Sequence, residues 1–425
     1  MPFNHLQNIA VIGLGYVGLP LAKLFLEKGH TVYGIDADKS KIKKLMNKQP
    51  YISDFTRLEI TEMFGTGHFH VGSSFEVIRE ADSILLCVPT PIDKEAKPDL
   101  SFVLSAVEQI IPYLREGQLV VLESSTYPGT TEEDLKALIE GAGWEVGRNV
   151  YLAYSPERID PGQIRYKLSE IPKVVGGVTN ACTEHAKRVY EGVFNKVIAV
   201  SNARTAEMTK LIENYQRFVN ISLMNDLVRI CEAMSINLWE VIQAASTKPY
   251  GFMTYYPGPG VGGHCIPVDP MYLVWKAKQY NVDLPFIELS HQVNEEMPWN
   301  VVSRVEKALL PLTLAQSSIM VIGVTYKKNV NDLRESKALQ VVECLIRRGA
   351  SVSYYDPYFK EIEIADRKLK RSEVTAKNVK KHDCLLILTD HSGQPYELIA
   401  KHARLVVDTR NATASIVDKS NIILL

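Results

Sequence analysis

An apolar run from Asn8 to Ile12 breaks into glycines, apolar positions spaced three and four apart fill Leu19 to Lys28, and a second apolar run covers Thr31 to Ile35. This succession predicts strand, helix and strand, one βαβ unit. Runs at Ser83–Val88, Leu119–Glu123 and Val150–Ala153 predict further strands, separated by helix-length segments such as Phe102–Leu114 and Thr131–Ala142. Alternating strands and helices make a parallel, doubly wound sheet, here over about the first 200 residues.

From Arg204 to Met234 the pattern becomes one long helix, with apolar positions at Met208, Leu211, Ile212, Tyr215, Phe218, Val219, Leu223, Leu227, Ile230, Cys231 and Met234. These predict a single buried stripe. A helix of that length usually crosses between domains or forms a subunit interface. Leu238–Ala245 and Pro285–Ser303 read as further helices, whereas Thr247–Pro270 is too rich in Gly, Pro and aromatics to be helical. A loop that long in a compact domain is expected to be functional. After Pro311 the alternation returns, with strands at Ser318–Gly323, Ser351–Tyr355, Cys384–Leu388 and Leu405–Asp408 and a helix at Ser336–Arg348. The expected fold class is α/β: two doubly wound domains, at 1–200 and 312–425, joined by a central helical domain at 201–305. The two α/β halves are candidate structural copies.

The bulk properties narrow the function. A chain of 425 residues suits two or three domains. With 48 basic against 49 acidic residues, it carries no global positive field for a nucleic-acid backbone. No apolar run reaches the roughly 18 residues that a bilayer span needs, and the segment before Asn8 lacks the regions of a signal peptide. A cytosolic protein with neither nucleic-acid nor membrane partner is expected. Cysteines 87, 182, 231, 265, 344 and 384 show no ligand spacing, so neither a disulfide framework nor a metal site is expected.

The candidate chemistry begins with Gly13-Leu14-Gly15-Tyr16-Val17-Gly18, which follows a predicted strand, opens a helix, and is followed 18 residues later by Asp36 at the end of the next strand. That context makes it a dinucleotide fingerprint. Its glycines permit a tight turn, backbone approach to a pyrophosphate and close helix packing. Asp36 accepts from a ribose 2′-OH and repels a 2′-phosphate, which favours NAD over NADP. Two further strand ends, Val88-Pro89-Thr90-Pro91 and Glu123 to Thr130 with Thr126, lie where ligands collect in open α/β sheets; ordinary turns would read the same.

Cys265 stands apart from the other five cysteines because it follows the glycine-rich stretch Pro257 to Gly263. Such a loop wraps closely around a ligand and can bring one thiol to it as a covalent nucleophile. His264 beside it points away if the loop is extended. Lys210 and Asn214, one helical turn apart, could hold a developing oxyanion and a water, or could simply form a solvated helix face. Glu157, in Ser155-Pro156-Glu157-Arg158 after a predicted strand, is a candidate base or positioning group, or a surface ion pair.

These motifs, in this order, resemble the UDP-glucose/GDP-mannose dehydrogenase family over essentially the full length. The carriers are Gly13 to Pro20, Val88 to Pro91, Ser125 to Thr130, Ser155 to Arg158, Lys210 with Asn214, Gly262-Gly-His-Cys265, and Lys327 through Asp332, Arg334, Glu335 and Ser336. The resemblance implies Rossmann-like outer domains, NAD as cofactor, a UDP-sugar as substrate and a homodimer built on the long helix. It implies two oxidations at one site, through a thiohemiacetal and a thioester on Cys265. Lys210 and Asn214 would then stabilise the oxyanion, and Asp269, Thr126 and Glu157 would organise water and proton transfers. Lys327 would meet the sugar diphosphate and Arg334 the NAD side, with Arg158, Tyr255, Tyr256, Gly260 and Gly262 along the substrate. Within the family, Ser155 to Gly162, Lys248 to Met253 and Tyr256 to Asp269 look most like the UDP-N-acetylglucosamine 6-dehydrogenase branch. UDP-glucose and the N-acetylmannosamine and N-acetylgalactosamine sugars are the alternatives. Outside this chemistry stand a two-electron dehydrogenase without a covalent cysteine and a non-catalytic NAD-binding sensor.

Overall fold

The computed structural model describes residues 6–52, 55–93, 97–158 and 166–425. Residues 159–162 of the SPER phrase, and 1–5 of the amino-terminal reading, lie outside that set. The chain divides into two units, Met1–Asn214 with Val268–Asp283, and Tyr215–Pro267 with Leu284–Leu425.

The first unit carries strands β1 (Asn8–Ile12), β2 (Thr31–Ile35), β3 (Phe69–Gly72), β4 (Ser83–Leu86), β5 (Leu119–Leu122), β6 (Tyr151–Tyr154), β7 (Lys173–Gly177) and β8 (Val197–Ala199). They form one sheet in the order β3-β2-β1-β4-β5-β6-β7-β8. Alternate residues of β1 enter different cores: Ile9 and Val11 pack into one, Ala10 and Ile12 into the other. Both faces of the strand are therefore covered, which is why it reads as a continuous apolar run. Each such Val or Ile contributes roughly 1.5–3 kcal/mol.

Two expectations need correction in this unit. The sheet is not wholly parallel: β7 runs antiparallel to β6, with Ala153 opposite Gly177 and Tyr154 opposite Gly176. Hydropathy carries no information on strand direction, so the reversal is a tertiary outcome. The segment predicted as helix from Thr131 also begins differently, as a π-helical turn over Thr130–Leu135 before regular helix over Lys136–Gly141. There the buried Glu207 accepts from the backbone N–H groups of Gly129 (2.6 Å) and Thr131 (2.9 Å) and from the Thr131 hydroxyl (2.7 Å).

The second unit contains β9 (Ser318–Ile322), β10 (Ser351–Tyr355), β11 (Glu361–Ile364), β12 (Arg367–Lys370), β13 (Cys384–Ile387), β14 (Val406–Asp408) and β15 (Ile422–Leu424). Five of these strands make a parallel sheet ordered β10-β9-β13-β14-β15, and β11 with β12 forms a hairpin. The order reverses beside β9, the switch point at which such sheets bind ligands. The two units repeat one brace. Gly13 N donates to Ile35 O (2.7 Å) and Leu14 N to Asp36 Oδ2 (2.9 Å); Gly323 N donates to Tyr355 O (2.8 Å) and Val324 N to Asp356 Oδ2 (2.9 Å).

The long helix spans Ala203–Ala233. Its expected single stripe is a split one: Leu211, Phe218, Met224 and Val228 are buried, while Ile212, Leu223 and Ile230 are about half exposed, at 52%, 49% and 51%. The helix Pro285–Leu309 runs past the predicted end at Ser303 and through Pro298. The loop predicted to reach Pro270 ends earlier, because a helix begins at Asp269 and continues to Lys278. Among the described residues no helix is long and apolar enough to cross a membrane.

Candidate functional site

The turn after β1 is shaped by its glycines in three ways. Gly13 has φ +94°, and a Cβ there would stand 2.5 Å from the Cys87 carbonyl oxygen; one on Gly18 would run into the Gly13 carbonyl. A Cβ on Gly15 would meet no atom within 4 Å. The fold thus demands glycine at 13 and 18 but not at 15, where the demand is what a pyrophosphate approaching the backbone would impose. Tyr16 and Val17 complete the turn and are half-buried. Asp36 accepts from Leu14 N and Asp38 N, each at 2.9 Å, and pairs with Lys41 Nζ at 3.2 Å. These residues fit a dinucleotide with a free ribose 2′-OH.

Strands β4, β5 and β6 deliver further groups at their carboxyl ends. Pro89 is exposed and Thr90 half-buried, and the Thr90 carbonyl accepts from the Tyr272 hydroxyl. Thr126 is fully buried and shares a 2.6 Å hydrogen bond with Thr130. Glu157, 7% exposed, accepts from Arg158 N (2.6 Å) through Oε1 and faces Lys173 Nζ at 3.5 Å through Oε2. Arg158 pairs with Glu213 at 2.6 Å.

The polar pair on the long helix is not a solvated face. Lys210 and Asn214 are 9% and 5% exposed, and Asn214 Nδ2 donates to Asp269 Oδ2 at 2.5 Å, bridging 55 residues of sequence. Burial raises the Asp269 carboxyl to about 6, against the opposing Lys210 charge and hydrogen bonds from Asn214 and Ser125. A buried ammonium, an amide and a carboxyl close to neutrality in its proton balance form a set able to hold an oxyanion and move a proton.

In the second unit the glycine-rich loop is clamped by two asparagines. Asn225 Oδ1 accepts from Gly258 N at 2.9 Å, while Asn294 accepts from Val261 N at 2.5 Å and donates to Val261 O at 3.1 Å. A Cβ on Gly262 would strike the Glu335 carbonyl, and Gly263, at φ +88°, lies against the Tyr326 ring and donates its N–H to Arg334 O at 3.1 Å. Gly260 is buried beside Lys337 and Asn294. Cys265 follows, half-buried; none of the six cysteines is in a disulfide. Arg334 forks onto Asp332 (2.7 and 3.0 Å); although burial opposes its charge, Asp332, Tyr326 and Cys265 outweigh that and hold its pKa up. The Arg334 guanidinium is thus a cation within electrostatic reach of the Cys265 sulfur. Lys327 lies half-buried just after β9, its carbonyl accepting from Thr325 Oγ1 (2.9 Å). The Tyr255 hydroxyl donates to Gln216 (2.7 Å), and the exposed Tyr256 ring stacks on Trp239 at 5.5 Å.

Within the first unit the structure thus joins Lys210, Asn214 and Asp269; within the second it joins Cys265, Arg334, Gly262 and Gly260. Sequence reasoning missed Lys41, Lys173, Asn225, Asn294 and Arg410. Lys41, five residues after Asp36, could have been found as a cation next to the ribose acid. Arg410, after β14, donates through Nε to Leu388 O (3.0 Å) and packs its guanidinium against Gly258; burial pulls its pKa down, opposed by Asp390 and Asp408.

Three family models match the chain in order: the UDP-glucose/GDP-mannose dehydrogenase family NAD binding domain over residues 7–194, its central domain over 204–296, and its UDP binding domain over 320–415. A UDP-N-acetyl-D-mannosamine dehydrogenase of Methanococcus vannielii is 34% identical over 421 residues, covering 96% of this chain and 93% of that protein. Protein CapL of Staphylococcus aureus is 39% identical, covering 82% of each. Among solved structures, the UDP-D-ManNAc dehydrogenase of Pyrococcus horikoshii superposes with a TM-score of 0.86 at 32% identity, covering 96% of both chains. The UDP-N-acetyl-mannosamine dehydrogenase Cap5O of Staphylococcus aureus gives 0.84 at 33%, covering 98% of this chain and 97% of that one. With a dinucleotide turn, a buried Lys–Asn–Asp set and a clamped cysteine loop all in the matched regions, the chain belongs to the UDP-glucose/GDP-mannose dehydrogenase family and is an NAD-dependent nucleotide-sugar dehydrogenase.

Proposed function

We propose that the protein oxidises the C6 alcohol of a UDP-linked 2-acetamido hexose to the carboxylate in two steps, with Cys265 as covalent nucleophile. The turn from Gly13 to Gly18 and Asp36 would hold NAD, which would supply a hydride acceptor for each oxidation, two per sugar. The thiol adds to the C6 aldehyde as a thiohemiacetal, whose oxidation gives a thioester that water hydrolyses. Lys210 and Asn214 stabilise the oxyanion, Asp269 and Thr126 orient the proton transfers, and Glu157 takes a proton from the attacking water. Lys327 meets the diphosphate at the switch point of the second sheet, and Arg334 supports the cysteine. The observation that carries this reading is the burial of Lys210 and Asn214 on Asp269, an arrangement that a solvated helix face would not adopt.

For the sugar, the relatives cited above that are named for a substrate act on the N-acetylmannosamine epimer, so UDP-N-acetyl-D-mannosamine is the first choice. UDP-N-acetylglucosamine is the second, favoured by the wording of the loop from Tyr256 to Asp269. The exposed apolar residues Leu223 and Ile230 of the long helix support a homodimer. The test is NADH formed per sugar consumed, with UDP-N-acetylmannosamine, UDP-N-acetylglucosamine, UDP-N-acetylgalactosamine and UDP-glucose in separate assays. Two NADH are expected from the preferred acetamido sugar. One NADH per sugar would refute the covalent route, and preference for UDP-glucose would refute the acetamido assignment.

A further inference from the structure

Beneath the carboxyl ends of β5 and β6 Glu157 belongs to a buried charge cluster whose other members, Lys173, Glu123 and Tyr190, have no task above. Lys173 is 3% exposed, and its Nζ stands 2.5 Å from Glu123 Oε2, 3.2 Å from the Pro156 carbonyl and 3.5 Å from Glu157 Oε2. The other oxygen of Glu123, itself 1% exposed, accepts from the buried Tyr190 hydroxyl. The ammonium is walled by the Tyr190 and Phe194 rings, 5.3 and 5.5 Å from their centroids. The antiparallel direction of β7 creates this geometry, because it sets the strand's first residue beside the segment that follows β6.

The geometry points to Lys173, anchored by Glu123 and Tyr190, as the positioning residue that holds the Glu157 carboxylate for hydrolysis of the Cys265 thioester. This rests on the reading of Glu157 given above. A buried ion pair replaceable by apolar side chains is weak evidence for stability. Here one ammonium stands against two carboxyl groups, that of Glu123, whose pKa burial pushes up, and that of Glu157. Glu123 saturates the near side of the ammonium, so the remaining attraction is spent on orienting Glu157. Its Oε2 faces Lys173 while Oε1 accepts from Arg158 N, which fixes the plane of the carboxylate. In the step served, water oxygen bonds to the thioester carbon and the carbon–sulfur bond breaks. One water proton passes to Glu157, the other leaves with the ionising product acid, and Cys265 departs as thiolate. Nothing is oxidised or reduced.

The test uses the full chain with NAD and the preferred UDP-sugar. Lys173→Met alone leaves two buried carboxylates unneutralised and can fail to fold, so the decisive variant is Lys173→Met with Glu123→Gln, which keeps the cluster's net charge. It should bind NAD like the wild type and produce the first-turnover burst of NADH. Steady-state turnover should fall roughly ten- to a hundredfold, the cost of a misplaced catalytic group. Intact-protein mass should show the sugar acyl adduct accumulating on Cys265. Wild-type steady-state turnover, or equal loss of burst and steady state with NAD binding intact, would overturn the inference. Glu157→Gln run alongside separates the two claims. If Glu157→Gln accumulates the adduct while the double variant turns over normally, only the role of Lys173 is lost. If Glu157→Gln turns over normally, the Glu157 reading falls and this one with it.

Discussion

Asn294 holds the backbone of Val261 on both sides, its Oδ1 2.5 Å from the amide nitrogen and its Nδ2 3.1 Å from the carbonyl oxygen. Both backbone groups are buried, so Asn294→Ala leaves a donor and an acceptor without partners, costing about 1–3 kcal/mol. Because the clamped residue lies four positions before Cys265, kcat should fall more than tenfold, the scale of a small misplacement. Urea denaturation and steady-state kinetics on the same preparation check both. Unchanged kcat would show that the clamp does not position the cysteine.

If Asp36, paired with Lys41 at 3.2 Å, selects the cofactor by its phosphate, changing its charge shifts that preference. Asp36→Asn keeps an acceptor for the Leu14 N–H, but removes the charge that repels a 2′-phosphate and leaves Lys41 unneutralised. The ratio of kcat/KM for NADP over NAD should rise by about tenfold or more, equivalent to about 1.4 kcal/mol. A ratio that does not move would remove Asp36 from cofactor selection.

Asp269 predicts a pH-dependent stability difference. Its folded pKa, about 6, lies above its ordinary value of 3.8, so its proton stabilises the folded state. That contribution is fully present below pH about 4 and is lost as pH rises through about 6. Asp269→Asn mimics the protonated form. Its stability relative to the wild type should therefore climb across this window by about 3 kcal/mol and then level off, even as activity falls. Denaturation midpoints at several pH values between 4 and 7.5 measure it; a flat difference would contradict the raised value.

The exposed apolar line of the long helix predicts association. Leu223 and Ile230 are 49% and 51% exposed, and Phe286 and Leu289 are 70% and 59% exposed. Light scattering should give roughly twice the chain mass of 47.7 kDa, and Leu223→Glu with Ile230→Glu should return the monomer, because a charge on each of these exposed apolar positions opposes burial in an interface. A monomeric wild type would end the dimer proposal.

The first strands and the glycine turn were legible because their signals are local: an apolar run, fixed glycine spacing and an acid at a known distance. The long helix was legible in its limits, Ala203–Ala233 against Arg204–Met234, from its spacing alone. Its exposed line was not, since hydropathy does not say which of two apolar lines faces a core. Lys173 sits in Lys-Val-Val-Gly-Gly, which reads alike in either strand direction. The reversal that sets Lys173 against Glu157 is decided by the sheet. Likewise Asn214 and Asp269 lie 55 residues apart, and Val261 and Asn294 lie 33 apart. Pairings over such distances leave no periodic trace.

The repeated glycine–aspartate brace closes on different partners in the two units. In the first unit the acid is buried, at 6% exposure, but its partner Lys41 is 34% exposed in its side chain. In the second unit Asp356 is wholly enclosed and bonded to His391, itself 1% exposed, at 3.1 Å. No ligand hydroxyl reaches Asp356 without unpacking that imidazole. One turn thus closes on a cation that reaches solvent, while in the other the same backbone hydrogen bonds close on an enclosed imidazole. Whatever the second unit binds is therefore read by groups other than this aspartate, whose carboxylate is already committed to the turn and to His391.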